Sequence, residues 1–215
     1  TVWRAPTDND SLCKERWMQQ RYHLVSSKIY DVAVCSNQIT VQGSLSGLSR
    51  MPFLYYTETI SFYEDGMVER KMDVKIAEYI HDFLPRFGLE FAMPAENTAF
   101  RYFGRGPMEN YCDLHAHAPV GYYESCAEQE YVHYVRPQEH GNHYGVRELS
   151  LADKLQFTSG NDFECKVSTY STQNLTAANH TDELCADGNT HVRVDYKVSG
   201  IGSNSCGPDL KEEYR

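Results

Sequence analysis

The chain has 215 residues, 41% hydrophobic and 23% charged, a globular composition at a length that one large domain or two small ones can fill. Its formal net charge of −10 excludes a nucleic-acid backbone or an anionic membrane surface as the natural partner, because both would repel it. No run approaches the roughly 18 apolar residues of a membrane span, and TVWRAPTDND lacks the basic and apolar regions of a signal peptide, so a soluble, cytoplasmic protein acting on neutral molecules or other proteins is expected.

In chain order, a helix is expected over 11–20 (SLCKERWMQQ), opened by the capping residues Asp10 and Ser11. Strands follow at 29–35, 38–45, 54–63 and 67–77, where apolar and polar residues alternate with period two. The last two are joined by Glu64, Asp65 and Gly66, a hairpin turn in which glycine supplies a positive φ. Further strands are predicted at 86–93, 99–106, 120–125, 154–160 and 163–171, with a short turn around 172–178. The clearest alternation is 191–198, where Val192, Val194, Tyr196 and Val198 share one face and His191, Arg193, Asp195 and Lys197 the other, the pattern of a half-buried strand. The stretch from Gly106 to Gly145, dense in Gly, Pro, His and Glu, reads as long loops. Together these predict an all-β chain, a single two-sheet antiparallel sandwich over 1–215 with little helix.

Seven cysteines cannot all pair and form no CxxC repeat, so reduced thiols are expected rather than a disulfide framework or a zinc site. The loop GIGSNSCGP (200–208) raises two nucleophiles, and neither survives. Ser205 lacks the glycine two places before it that a GxSxG elbow requires, and Cys206 has no neighbouring cation to lower its pKa. His115 and His117 would share a face if their segment were a strand, but have no third ligand at suitable spacing, and Asp8 and Asp10 fit turn and cap roles better than a calcium loop. The stretch RPQEHGNHYGVREL (136–149) gathers Glu139, His140 and His143 with arginines around two glycines. Those residue types suit acid/base work or hydrogen bonding to sugar hydroxyls, and equally a buried Arg/Glu network that braces a loop.

Six segments in order, WRAPTDND (3–10), YFGRGPMENYCD (102–113), YVRPQEHGNHYGVREL (134–149), KVSTYST (166–172), HTDEL (180–184) and GIGSNSCGP (200–208), resemble the C-terminal, small-chain region of the bacterial β-galactosidases of glycoside hydrolase family 2. The resemblance covers nearly the whole chain. It implies a sandwich similar to the galactose mutarotase fold, forming the last of five domains in a retaining enzyme that cleaves terminal β-galactosides such as lactose. It also implies that the catalytic glutamates, and the magnesium with sodium as a second candidate ion, belong to a barrel elsewhere in the parent, leaving this chain no catalytic residue, metal or cofactor of its own. The parent is expected to be a homo-oligomer, with this chain's partners being its other domains and the β-galactoside, and with a closing strand beyond Tyr214.

In that family the loop matching 200–208 reaches the substrate, which makes Cys206, Asn204 and Ser205 the expected rim residues, with Glu139, His140 and His143 as further candidates. A well-known member carries a tryptophan there, within DDSWSP. Here Cys206 stands at that position in a loop one residue shorter, replacing a broad apolar face by a thiol. A stand-alone mutarotase-like epimerase and a carbohydrate-binding module are the rival readings.

Overall fold

The computed structural model describes residues 1–202 and 209–215. The architecture is all-β with two antiparallel sheets, as the alternation predicts, and the chain divides into two compact units: Arg16–Phe83, and a second made of Thr1–Glu15 with Leu84–Arg215. The predicted helix is present as α1, Ser11–Gln19.

In the Arg16–Phe83 unit, β1 (Val25–Cys35), β2 (Gln38–Gly47), β3 (Pro52–Phe62) and β4 (Val68–Ile76) pair as a meander in that order. The β3–β4 turn forms as predicted: Gly66 takes φ 88°, and Tyr63 N–H donates to the Met67 carbonyl at 2.9 Å. Trp17 is fully buried, edge-on to Phe83 and donating to its carbonyl at 3.1 Å. Register sorts the side chains into two faces. One carries Val32, Val34, Ile39, Val41, Ile60, Met72 and Val74, and the other Thr40, Gln42, Thr57, Thr59, Lys71, Asp73 and Lys75. The apolar face is open, with Val34 71% exposed and Val32 52%. Alternation fixes which residues share a face, but it is silent on whether anything covers that face, and β1 beyond Val25 is exposed on both sides.

In the other unit, β5 (Arg86–Pro94), β6 (Ala99–Arg105), β7 (Val120–Cys126), β8 (His143–Leu151), β9 (Leu155–Ser168) and β10 (Asn189–Val198) form a sheet ordered β5-β10-β9-β8-β6-β7. The predicted strands at 154–160 and 163–171 are one continuous β9. The turn near 172–178 is a short helix, α2 (Thr172–Ala177), capped by the Ser171 hydroxyl, which accepts from Asn174 N–H at 3.1 Å. Strand β8 was not expected. Register shifts between His143, Val146 and Glu148 break its period-two pattern, and Gly145 at φ 69° reads locally as a turn.

One face of this sheet carries the apolar core, with Val192, Val167, Cys165, Phe163, Leu149 and Phe100 all buried. The half-buried reading of 191–198 is corrected here. Arg193 and Asp195 on the opposite face are as buried as the valines, at 0% and 1% exposed, and are joined there by Arg86, Glu164 and Lys166. Polarity alone suggested solvent; mutual ion pairing makes this charged face an interior.

Candidate functional site

The charged face is laid out by register. Arg193 lies opposite Lys166, and Asp195 opposite Glu164, across β10 and β9. On β5, Gly88 faces Asp195 so closely that a Cβ there would stand 2.2 Å from the carboxylate, and that opening gives Asp195 its place beside Arg86. Arg86 donates through Nε (3.2 Å) and Nη2 to the two oxygens of Asp195, and through Nη1 to Glu139 at 3.5 Å. Glu139 also accepts from Lys166 Nζ at 3.2 Å, while its backbone N–H donates to the Ala5 carbonyl at 3.1 Å.

Burial pushes the Glu139 carboxyl up, but Lys166 and Arg86 outweigh it and hold the group down at about 2. Burial lowers Lys166 to about 8 against the pull of Glu139. It also lowers His140, with help from Lys166, to about 4, and the His140 ring bonds the Gln138 carbonyl at 2.8 Å through Nδ1.

The structure does not bring the three candidates of 136–149 together. Glu139 and His140 lie on the charged side. His143 sits opposite Cys165 in register and shares its apolar face, where its Nε2 meets Glu130 at 2.9 Å and its Nδ1 meets the Tyr102 hydroxyl at 3.0 Å. Each is buried and bonded to protein, so as they stand the three brace the fold. His115 and His117 bond the Tyr111 and Glu109 carbonyls. Among the described residues no group of three His, Cys, Asp or Glu side chains is placed to hold a metal, and the six described cysteines form no disulfide with one another.

Cys206, Asn204 and Ser205 lie outside the described residues, but the segment leading to them, 198–202, is held from every side. Arg4, fully buried, donates through Nε and Nη2 to Asp10 (3.3 and 2.7 Å), through Nη1 to the Ser199 carbonyl, and through Nη2 to the Gly200 carbonyl at 3.1 Å. Asn9 donates to the Ile201 carbonyl at 2.9 Å. Asp113 accepts from Ile201 N–H (3.1 Å) and Gly202 N–H (2.8 Å), and a Cβ on Gly200 would stand 2.6 Å from its carboxylate. Asp10 also accepts from Thr7 N–H at 2.9 Å, which closes the 3-10 turn Asp8–Asp10 that precedes α1 rather than capping α1 itself, and the ion pair with Arg4 is added to it.

Sequence reasoning gave a site role to none of Arg4, Asn9, Asp113, Arg86, Asp195 or Lys166. Arg4, Asn9, Asp113 and Lys166 lie inside quoted motifs and Asp195 lies in the 191–198 strand, whereas Arg86 was only the first residue of a predicted strand.

Glu164 is nearly fully buried with two donors, Val198 N–H (2.8 Å) and Asn142 Nδ2 (2.6 Å). Burial raises its pKa to about 8 from an ordinary 4.5. A carboxyl whose pKa is raised by folding favours the folded state below about 4.5 and loses that contribution as pH rises through about 8. His140 contributes only below about 6.5, so between pH 6.5 and about 8 the stability of the native chain relative to Glu164→Gln should fall by up to about 1.4 kcal/mol per pH unit and then level off. Urea titrations of both proteins at several pH values check this; a difference independent of pH would show that Glu164 is ionised throughout.

Compared with known proteins, the chain matches the family described as β-galactosidase small chain over residues 1–215. It is 35% identical over its whole length to a β-galactosidase of Actinobacillus pleuropneumoniae, 31% to one of Staphylococcus xylosus and 30% to one of Kluyveromyces lactis. In each case it spans 22% of the relative's length. The segments that converge on 198–202 are spread from the first ten residues to the last twenty, and the family match covers all of them: this chain belongs to the β-galactosidase small chain family.

Proposed function

We propose that this chain is the terminal domain of a retaining β-galactosidase of glycoside hydrolase family 2. In the parent enzyme, which hydrolyses terminal β-D-galactose residues of lactose-type substrates, it acts as scaffold and lends residues 203–208 to the rim of a site whose catalytic groups lie in another domain. The observation that carries this reading is the clamp on 198–202: a buried arginine fork, a carboxylate accepting two successive amides and a glycine with no room for a side chain are spent on the segment entering that loop. A loop that only connects strands needs no such fixing.

The relatives named above are β-galactosidases more than four times longer than this chain, which supports a shared active site. The open apolar face of the β1–β4 sheet supports other domains, or a second copy of the parent, as physical partners. Magnesium and sodium belong to the parent's barrel in this reading. A cytoplasmic setting is in keeping with an odd number of cysteines that form no CxxC repeat.

A mutarotase-like reading is less well supported. It needs a histidine, His140 or His143, and Glu139 open to one sugar, whereas His143 sits on the opposite face of the sheet from Glu139, and His140, on the side of Glu139, is buried with it and bonded to the Gln138 carbonyl.

The test is Cys206→Trp in the full-length enzyme. An indole face at the rim should raise affinity for the leaving-group sugar, lowering KM for lactose severalfold while kcat for an aryl galactoside stays within about twofold. Unchanged KM would remove the rim role. The 215-residue chain alone should not hydrolyse nitrophenyl β-galactoside, and sustained turnover by it would overturn the placement of the catalytic groups elsewhere.

A further inference from the structure

The polar face of the β1–β4 sheet holds a cleft of about 360 Å³. Its construction follows from the pleat. The rung Gly43, Tyr56, Val74 forms the floor with its backbone, because these side chains point to the opposite face, where the Tyr56 ring crosses Gly43 to reach the Ser27 hydroxyl at 2.9 Å. A Cβ on Gly43 would stand 2.5 Å from the Tyr56 hydroxyl, so glycine is what lets that ring lie flat on the far side. The neighbouring rungs make the walls: Gln42, Thr57 and Asp73 on one side, Tyr55 and Lys75 on the other. Tyr30 leans over from β1, fixed by a 2.8 Å bond to the Ser44 hydroxyl and by the Lys28 ammonium 5.4 Å from its ring centre.

We infer that this cleft binds a neutral saccharide, at a site separate from the 198–202 segment. Its polar groups are uncommitted: the Gln42 amide, the Thr57 and Tyr55 hydroxyls, the Asp73 carboxylate and the Lys75 ammonium make no hydrogen bond or ion pair among the described residues. Two exposed tyrosine rings stand among them, Tyr30 at 51% and Tyr55 at 44%.

The chemistry selects the ligand. Asp73 only accepts and Lys75 only donates, and together they suit hydroxyl groups that do both. An anionic ligand meets Asp73 and a cationic one meets Lys75, so net neutrality is favoured. The apolar face of a pyranose then lies against a tyrosine ring. The inference rests on the cleft itself, and the proposed function serves only to choose galactosides as probes.

NMR titration of the isotopically labelled 215-residue chain with methyl β-galactoside and lactose tests it. The expected result is saturable shifts at the amides of Gly43, Tyr56 and Val74, with millimolar dissociation constants. Galacturonate and galactosamine should bind several times more weakly. Tyr55→Ala should weaken binding about tenfold, and Asp73→Ala likewise. Both residues are exposed, so the variants' unshifted spectra report that the fold is intact. No saturable shift at 100 mM sugar, shifts centred elsewhere, or shifts that survive both variants would overturn the site. None of these outcomes depends on how Cys206→Trp behaves in the full-length enzyme, so the two readings fail independently.

Discussion

Arg86→Ala should lower the unfolding free energy of the unit built from Thr1–Glu15 and Leu84–Arg215 by about 3–5 kcal/mol, the cost of leaving a buried charge uncompensated. Arg86 is 1% exposed, and its five N–H groups serve Asp195 through two bonds and Glu139 through one. Without it Asp195 loses its partner in a site where water has little access, and Glu139 is left to Lys166 alone. Glu139 is held at about 2, so it stabilises the fold above its ordinary 4.5 and gives that up as pH falls toward 2. Removing Arg86 takes away one of its two main supports, and the acid transition of the variant should move to higher pH. Trp3 is buried in this unit and donates to Thr176 at 3.1 Å, so its fluorescence in a Trp17→Phe background follows the right transition. A second variant separates pairing from packing. Arg86→Met with Asp195→Asn removes both charges and should recover part of the loss, because an empty pair costs less than a broken one. A loss below about 1 kcal/mol in Arg86→Ala would mean that the pair is not structural.

How much of this was legible in the sequence follows from what each signal measures. Period-two alternation placed nine of the strands well because it records backbone geometry directly, as at Leu54, Tyr56 and Glu58 on one face of β3. It missed β8, where bulges put Val146 and Leu149 three residues apart, and it joined β9 only when the structure supplied its partners. It misjudged burial in both directions. Val32 and Val34 alternate correctly and are exposed, while Arg193 and Asp195 alternate correctly and are buried. Composition assigns charge to the surface, and only three-dimensional pairing reverses that, as Arg86 and Asp195 do from positions 109 residues apart. Sequence separation also hid the network around Glu139, whose partners Arg86 and Lys166 lie 53 and 27 residues away. From 136–149 alone an acid/base cluster and a brace were equally good readings, because the residues that decide, Arg86 and Lys166, lie outside the stretch. The segment 200–208 was found from its glycines and small polar residues, whereas the clamp that holds its start had to be assembled from Arg4, Asn9 and Asp113.

That clamp gives the other large effect. Arg4→Ala should cost about 3–5 kcal/mol, because Arg4 and Asp10 are both fully buried and the guanidinium also satisfies the carbonyls of Ser199 and Gly200. The consequence is local as well as global. Gly200 N–H donates to the Tyr214 carbonyl at 2.8 Å, and the amides of Ile201 and Gly202 donate to Asp113, so these three protons report on the segment directly. In Arg4→Ala their hydrogen exchange should accelerate about tenfold or more beyond the change in core amides such as Val192, because the segment loses one wall while the β10–β9 pairing is untouched. Arg4→Lys tests the reason. An ammonium keeps the charge opposite Asp10 but cannot fork between a carboxylate and two carbonyls, so it should recover the stability lost with the ion pair while leaving exchange at 200–202 fast. If lysine restored slow exchange as well, the charge alone would be holding the segment. If neither variant changed exchange, Asn9 and Asp113 would be sufficient, and the hold on 200–202 would not depend on Arg4.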